Sequence, residues 1–273
     1  MIHELDSYFD PLSERICSLK EKWETTQIGR LIDIYSEGKF PDVKFSEIII
    51  FNVPEYEGST NRAALSDCKV RLAFYALHHD KLPKISDLGT IKLMSSRKET
   101  FNIIEKICVE FINSGIIPII IGGGHDISYA VYKAYASLKK FITISVVDNK
   151  FDIGLEDDNL ASFSHFGKII RAKPSYLFHY VNLGYQSYFV SPIAVELLNN
   201  MHFDVMRLGD LKTNMDEVEP IMRNTDFLSF DISAISSSYA SANSYSSPNG
   251  LNGEDACRIM RYAGVSDKIS SLG

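Results

Sequence analysis

The stretch that most constrains this chain is IIPIIIGGGHDISY, residues 116–129. Ile116, Ile117, Ile119, Ile120 and Ile121 form an apolar, β-branched run too short for a typical helix, which predicts a central parallel strand covered on both faces. Gly122, Gly123 and Gly124 follow, and without a Cβ they let the backbone turn sharply and let other groups approach it. His125 then emerges at the carboxyl end of the strand, where open α/β sheets place their ligands. No dinucleotide fingerprint is present, because Ile127 stands where its third glycine belongs.

Two later runs repeat the pattern. Residues 142–147 are β-branched and lead into Asp148-Asn149-Lys150-Phe151-Asp152, and residues 227–232 carry Ser229-Phe230-Asp231-Ile232-Ser233. Three strands thus end in His, Asp/Asp and Asp. Imidazole and carboxylate converging at strand ends suit Mn²⁺, Zn²⁺ or a similar ion.

These motifs resemble those of the ureohydrolase family of arginases, agmatinases and formimidoylglutamases. That family carries GG-x-H, then D-x-H-x-D, then S-F-D-x-D, which together hold a pair of Mn²⁺ ions. The resemblance implies a three-layer α/β/α fold with a mostly parallel central sheet. It also implies metal ligation by His125, Asp148, Asp152 and Asp231, and a small-molecule amidine or guanidino substrate. GGGHD, with Asp126 after the histidine, is nearer the formimidoylglutamase branch, although an acid there also suits a helix N-terminus. Asp148 and His165 are the catalytic candidates. His165 lies at a spacing compatible with the family's proton-shuttling histidine, and a histidine in a polar loop is the simpler reading.

Two ligand positions depart from the pattern. Lys150 replaces the histidine of the second motif and Ser233 the second aspartate of the third. In the family both belong to the same ion. Lys150 is therefore expected to put its ammonium where the missing cation would sit, against the bridging carboxylates. Three carboxylates facing one divalent ion and one lysine would remain neutral, so the expectation is one Mn²⁺ at most, or none. This describes a formimidoylglutamase/arginase-like C–N hydrolase with an impaired dinuclear site, weak or inactive. The alternative is a non-catalytic pseudoenzyme serving as a binding or oligomeric scaffold, and a buried ion network without a ligand is a third reading.

At 45% hydrophobic, the chain of 273 residues can bury a large core, and one domain over residues 1–273 is expected. A formal charge of −7 argues against nucleic acid and anionic membrane as partners. No apolar segment is long enough to span a bilayer and the amino terminus lacks a signal-peptide pattern, so a cytoplasmic protein is expected; the family resemblance implies a homo-oligomer. Cys17, Cys68, Cys108 and Cys257 form no C-x-x-C pair and read as free thiols.

The first 40 residues read as polar helix, with Leu12, Ile16 and Leu19 inward. Residues 48–53 read as a strand, and residues 67–77 as a helix with Val70, Phe74 and Leu77 inward. Residues 99–113 read as a helix capped at Asn113-Ser114-Gly115, and residues 126–138 as a helix with Tyr129, Tyr132 and Tyr135 in core and rim. Strands at 177–183 and 205–208 flank a helix at 193–200, and a last helix carries Ala256, Ile259 and Met260. Pro54-Glu55-Tyr56-Glu57-Gly58 with Asn61-Arg62, and Asp87-Leu88-Gly89, resemble shorter family motifs. The acidic loop 156–158 follows the second motif, and the Ser-, Tyr- and Asn-rich residues 233–248 are expected as a surface loop beside the site. His179 and His202 carry no assigned role. The family continues beyond the point where this sequence stops, so either a truncated or a short chain is expected.

Overall fold

Strand pairing organises the computed structural model, which describes residues 5–58, 67–154, 160–243, 245 and 247–273. The chain divides into two compact units, Met1–Gly124 and His125–Gly273. Asn61-Arg62, the loop 156–158 and the Cys68 side chain lie outside what is described. Among the described residues, no helix is long and apolar enough to cross a membrane. Cys17, Cys108 and Cys257 are free thiols.

In the first unit, strands β1 (Phe9–Asp10), β2 (Asp33–Ile34), β3 (Ile48–Asn52), β4 (Ile85–Ile91) and β5 (Ile117–Ile121) form a sheet in which β3 lies between β4 and β5. Pairing is parallel except that β1 runs antiparallel to β4. The expected amino-terminal helix is instead a series of short turns, Leu5–Tyr8, Glu14–Cys17, Lys20–Lys22 and Ile28–Leu31. Pairing of Phe9 and Asp33 with β4 competes with helix over this stretch, although Leu12 and Ile16 still pack inward.

The helix Asp67–Tyr75 buries a different face from the expected one. Of the expected inward residues Phe74 packs partly buried against the core, but Val70 and Leu77 are exposed, whereas Arg71 and Tyr75 are buried. The reason lies in β4, where Asp87 is wholly buried and needs partners. Arg71 Nε and Nη2 donate to the two Asp87 oxygens at 2.7 and 2.9 Å, and Tyr75 Oη donates to Oδ2 at 2.8 Å. Asp87-Leu88-Gly89 is thus the anchor of a buried ion pair. The helix Arg97–Asn113 begins where the Ser96 side chain accepts from Glu99 N, and it stops at Gly115, whose φ of +73° suits a left-handed cap.

The second unit holds an all-parallel sheet in the order β10 (Ser271–Leu272), β9 (Phe227–Phe230), β6 (Ile142–Val147), β7 (Leu177–Tyr185) and β8 (Asp204–Arg207). Every residue of β6 is buried, as its β-branched sequence, interrupted only by Ser145, leads one to expect of a central parallel strand. The helices Ile127–Ser137, Pro192–Asn200 and Gly253–Gly264 fall close to the expected ranges. Tyr132 and Tyr135 are core residues, and Tyr135 Oη bonds the Ser270 and Ser271 hydroxyls at 2.8 and 2.7 Å. Both units are α/β, built on mostly parallel strands flanked by helices, the fold class expected from the sequence.

Candidate metal centre

Register brings the acidic residues together. In the parallel pair β6 and β9, Val147 stands beside Phe230, so the next residues, Asp148 and Asp231, leave the sheet side by side. Asp231 N donates to Val147 O at 2.9 Å and keeps the two strand ends joined. His125 enters from just before the helix Ile127–Ser137. Asp152 reaches back from the loop after β6, where its backbone adopts φ +50°, a left-handed conformation that aspartate tolerates better than most residues. That loop is held by Phe166 N donating to Asp152 O at 3.1 Å. Gly167 permits the approach, since a Cβ there would lie 1.9 Å from the Ile153 carbonyl oxygen.

One oxygen of each carboxylate converges on a single point. The Oδ2 atoms of Asp152, Asp148 and Asp231 lie 2.9, 3.2 and 3.3 Å from His125 Nδ1. The other ring nitrogen, Nε2, is 3.0 Å from Ser229 Oγ, which is 2.9 Å from Ser128 Oγ. With Nε2 engaged in this way, Nδ1 is the nitrogen that faces the acids.

The opposite carboxylate oxygens are occupied by protein donors. Asp148 Oδ1 accepts from Lys150 N at 3.1 Å and from Ser233 Oγ at 3.3 Å. Asp231 Oδ1 accepts from Ser233 N at 2.6 Å. Ser233 therefore fills, as a hydroxyl and an amide, the side of the cluster where the family's motif has an aspartate. Lys150 departs from the expectation. Its ammonium does not sit among the carboxylates; Nζ lies 4.7 Å from the Tyr245 ring centroid and 5.8 Å from that of Phe189. The cause is local, because the Lys150 amide is bound to Asp148 and its carbonyl accepts from Asn182 Nδ2 at 2.8 Å, so the side chain leaves away from the cluster.

His165 is buried beside this group, with ring centroids of His125 and His165 4.4 Å apart. Its Nδ1 is 2.9 Å from Ser162 O and 3.9 Å from Asp152 Oδ2. Burial, and then the neighbouring His125, hold the His165 ring well below the usual imidazole range. Burial opposes charge on His125 too, but hydrogen bonds to Asp148 and Asp152 and the charge of Asp231 outweigh it and raise its pKa well above the usual value. Asp148 is pushed up to about 6, first by burial and then by Asp152, and Asp231 is raised by burial and by Asp148. Buried carboxylates with raised pKa values are what a cluster short of positive charge produces.

The donor set fits a divalent cation. His125, Asp148 and Asp231 form one group of converging ligand atoms, and His125, Asp152 and His165 another. Carboxylate oxygen with imidazole nitrogen suits Mn²⁺. All four ligands expected from the sequence are thus brought to one place. Ser229 and Ser128 were not singled out as site residues; the signal for Ser229 was its place within the Ser229-Phe230-Asp231 triplet.

Other expected features lie elsewhere. Glu55 is buried in the first unit, 3.1 Å from Arg97 Nε. Residues 233–248 are partly tied down, with bridges Ile235 to Leu251 and Ser236 to Ser247 and both of these serines buried, while Tyr239 and Tyr245 are exposed. His179 pairs with Asp204 at 2.9 Å, and His202 sits in a left-handed turn.

A family model described as the arginase family matches residues 60–272. Among solved structures, the chain is similar to Trypanosoma cruzi formiminoglutamase with Mn²⁺, at 20% identity and a TM-score of 0.74 over 83% of this chain and 84% of that one. It is similar to formimidoylglutamase from Bacillus subtilis, at 17% identity and a TM-score of 0.76 over 90% and 82%. It is also similar to agmatine ureohydrolase of Thermoplasma volcanium, at 18% identity and a TM-score of 0.72 over 94% and 87%. At such identities these likenesses are of fold. No curated protein matches the sequence significantly.

Proposed function

Because the chain belongs to the arginase family, we propose that it is a C–N hydrolase of linear amidine or guanidino compounds, nearest the formimidoylglutamases, with one Mn²⁺ in place of the family's pair. The observation that carries this reading is the division of oxygens within the cluster. The Oδ2 atoms of Asp148, Asp152 and Asp231 gather at His125 Nδ1, while Oδ1 of Asp148 and of Asp231 are taken by Lys150 N, Ser233 Oγ and Ser233 N. One ligand set is complete and the other is filled by hydrogen-bond donors.

His125, Asp148, Asp152 and Asp231 would hold the ion, which when bound supplies Lewis acidity and a route to a nucleophile at neutral pH. The remaining work falls to the chain. Ser229 orients His125, and Ser233 and the Lys150 amide fix the Asp148 carboxylate. His165, kept neutral by burial, directs Nδ1 at the Ser162 carbonyl, which leaves Nε2 as its acceptor. Attack of water on the amidine carbon releases a proton, which His165 Nε2 would take and return to the leaving nitrogen, while Asp148, with Oδ2 on the ion and Oδ1 held by Lys150 N and Ser233 Oγ, would orient the nucleophile. The net charge and free thiols fit a cytoplasmic protein.

A non-catalytic reading draws on the same sealed oxygens, since a pair of ions is the family's means of activating water. Manganese content per chain, measured after incubation with Mn²⁺ and desalting, together with release of formamide, urea or ammonia from a panel of amidines and guanidino compounds, separates the readings. One ion with turnover is the expected result. Two ions, or none, would overturn the single-ion site, and one ion without turnover on any member of the panel would establish the non-catalytic reading.

A further inference from the structure

At the amino-terminal edge of the second sheet, the opposite edge from Asp148 and Asp231, strands β6, β7 and β8 and the helix Val218–Asn224 line a cavity of about 370 Å³. That volume suits a small organic molecule. Parallel register sets its polar residues in a row, since Thr143 stands beside His179 and Val181 beside Asp204. The register of β6 and β7 shifts here: Ile142 pairs with Leu177 and Thr143 with His179, so Phe178 is an extra residue between them. Such a bulge re-aims a side chain, and the Phe178 ring lines the cavity while 74% exposed. Val181, Pro220 and Ile221 supply apolar walls.

The polar groups of the lining are mostly acceptors. His179 Nε2 is 2.9 Å from Asp204 Oδ2, so this nitrogen carries the proton and Nδ1 of the neutral ring accepts. Thr143 is only 4% exposed, and among the described residues its hydroxyl has no hydrogen-bond partner. Asn224 Nδ2 donates to Pro220 O at 3.0 Å, which leaves its Oδ1 as a further acceptor. The ammonium of Lys268 is already matched, by Asp226 Oδ2 at 3.0 Å and Asn224 O at 2.7 Å. With Asp204 counted, two carboxylates stand against that one ammonium, and Phe178 adds a ring face that attracts a cation. A buried hydroxyl without a partner, in an acceptor-rich cavity with apolar walls, is complementary to a donor that carries positive charge.

We propose that this cavity binds an organic ammonium ion, a primary amine on an apolar body, whose N–H donors are shared among Thr143 Oγ1, His179 Nδ1 and the Asp204 carboxylate. The body packs on Val181, Pro220 and Ile221. None of these residues belongs to the metal centre, so the site stands whether or not the chain is a hydrolase.

Calorimetry at pH 8, above the ordinary imidazole range, tests this with hexylamine and hexanoate, which share an apolar body and differ in charge. Hexylamine is expected to bind the parent chain, and hexanoate about 10-fold more weakly or not at all. Thr143→Val keeps the side-chain shape, removes the hydroxyl and should weaken hexylamine about 10-fold. Asn224→Trp, at the exposed end of its helix, should fill the cavity and abolish binding. No hexylamine binding by the parent, hexanoate binding as tightly as hexylamine, or an unchanged affinity in Thr143→Val would each overturn the proposal. Binding that survives Asn224→Trp unaltered would place the amine elsewhere and overturn it too.

Discussion

The raised pKa of Asp148 makes the stability of the metal-free protein depend on pH in a way that one substitution isolates. Burial and the charge of Asp152 lift this carboxyl from 3.8 to about 6. A group whose folded pKa lies above its unfolded value stabilises the fold fully below the unfolded pKa, and that contribution is lost as pH rises through the folded pKa. The window is therefore about pH 4 to pH 6, and the span corresponds to about 3 kcal/mol. Other groups titrate here as well. His165, whose pKa is depressed, changes stability in the opposite sense below about pH 6.5. Asp148→Asn removes this titration, and because Asp148 helps to raise the pKa values of His125 and Asp231, its loss lowers both and moves the difference in the same direction. In EDTA, the stability of Asp148→Asn relative to the parent should rise by about 3 kcal/mol between pH 4 and pH 7, or about 6–12 °C in melting temperature. Thermal and urea unfolding at four pH values would measure it. Mn²⁺ at a thousandfold excess over Kd should reverse the order at pH 7, since the ion then stabilises the parent by about 4.1 kcal/mol and the variant lacks a ligand. A difference independent of pH would refute the assignment of Asp148 as a buried, undercompensated carboxylate.

Three further outcomes are expected. Lys150→His combined with Ser233→Asp should raise bound manganese from one ion per chain to two by elemental analysis, and an unchanged content would show that these two side chains do not set the number of ions. Ser229→Ala frees His125 Nε2 and should weaken Mn²⁺ binding about 10- to 100-fold in a calorimetric titration; an unaltered affinity would rule out the orienting role. Arg71→Met strands the wholly buried Asp87 and should cost about 3–5 kcal/mol in urea unfolding, whereas a loss below about 1 kcal/mol would place the anchor of β4 elsewhere.

The centre of the site was legible because it depends on strand ends. Short apolar runs, β-branched in β5 and β6, marked β5, β6 and β9, and the polar residue after such a run has little choice but to leave at the carboxyl edge of the sheet. His125, Asp148 and Asp231 follow from that rule, and Asp152 follows from its spacing. The direction of Lys150 was not legible. Charge counting placed its ammonium among the acids, but two backbone hydrogen bonds fix its Cα so that the long side chain leaves toward rings supplied by distant stretches. Ser229 was silent for a related reason, since its partner ring lies 104 residues away in the chain. In the first unit the helical pattern of residues 67–77 misled because periodicity scores apolar residues, and here the buried face carries an arginine matched to a buried aspartate. The amino-terminal turns and the two-residue strands β1, β2 and β10 are too short to show any period.

The left-handed backbone of Asp152 narrows what this position tolerates during sequence drift. Only glycine, asparagine and aspartate visit that conformation readily, and of the three only aspartate carries the charge that faces His125. Glycine keeps the turn and loses the ligand, while asparagine keeps the turn and a neutral oxygen. Glutamate keeps the charge but not the ease of the turn. A drifting lineage therefore has no neighbouring residue that conserves both, and Asp152→Asn is the substitution that would remove the charge while sparing the loop.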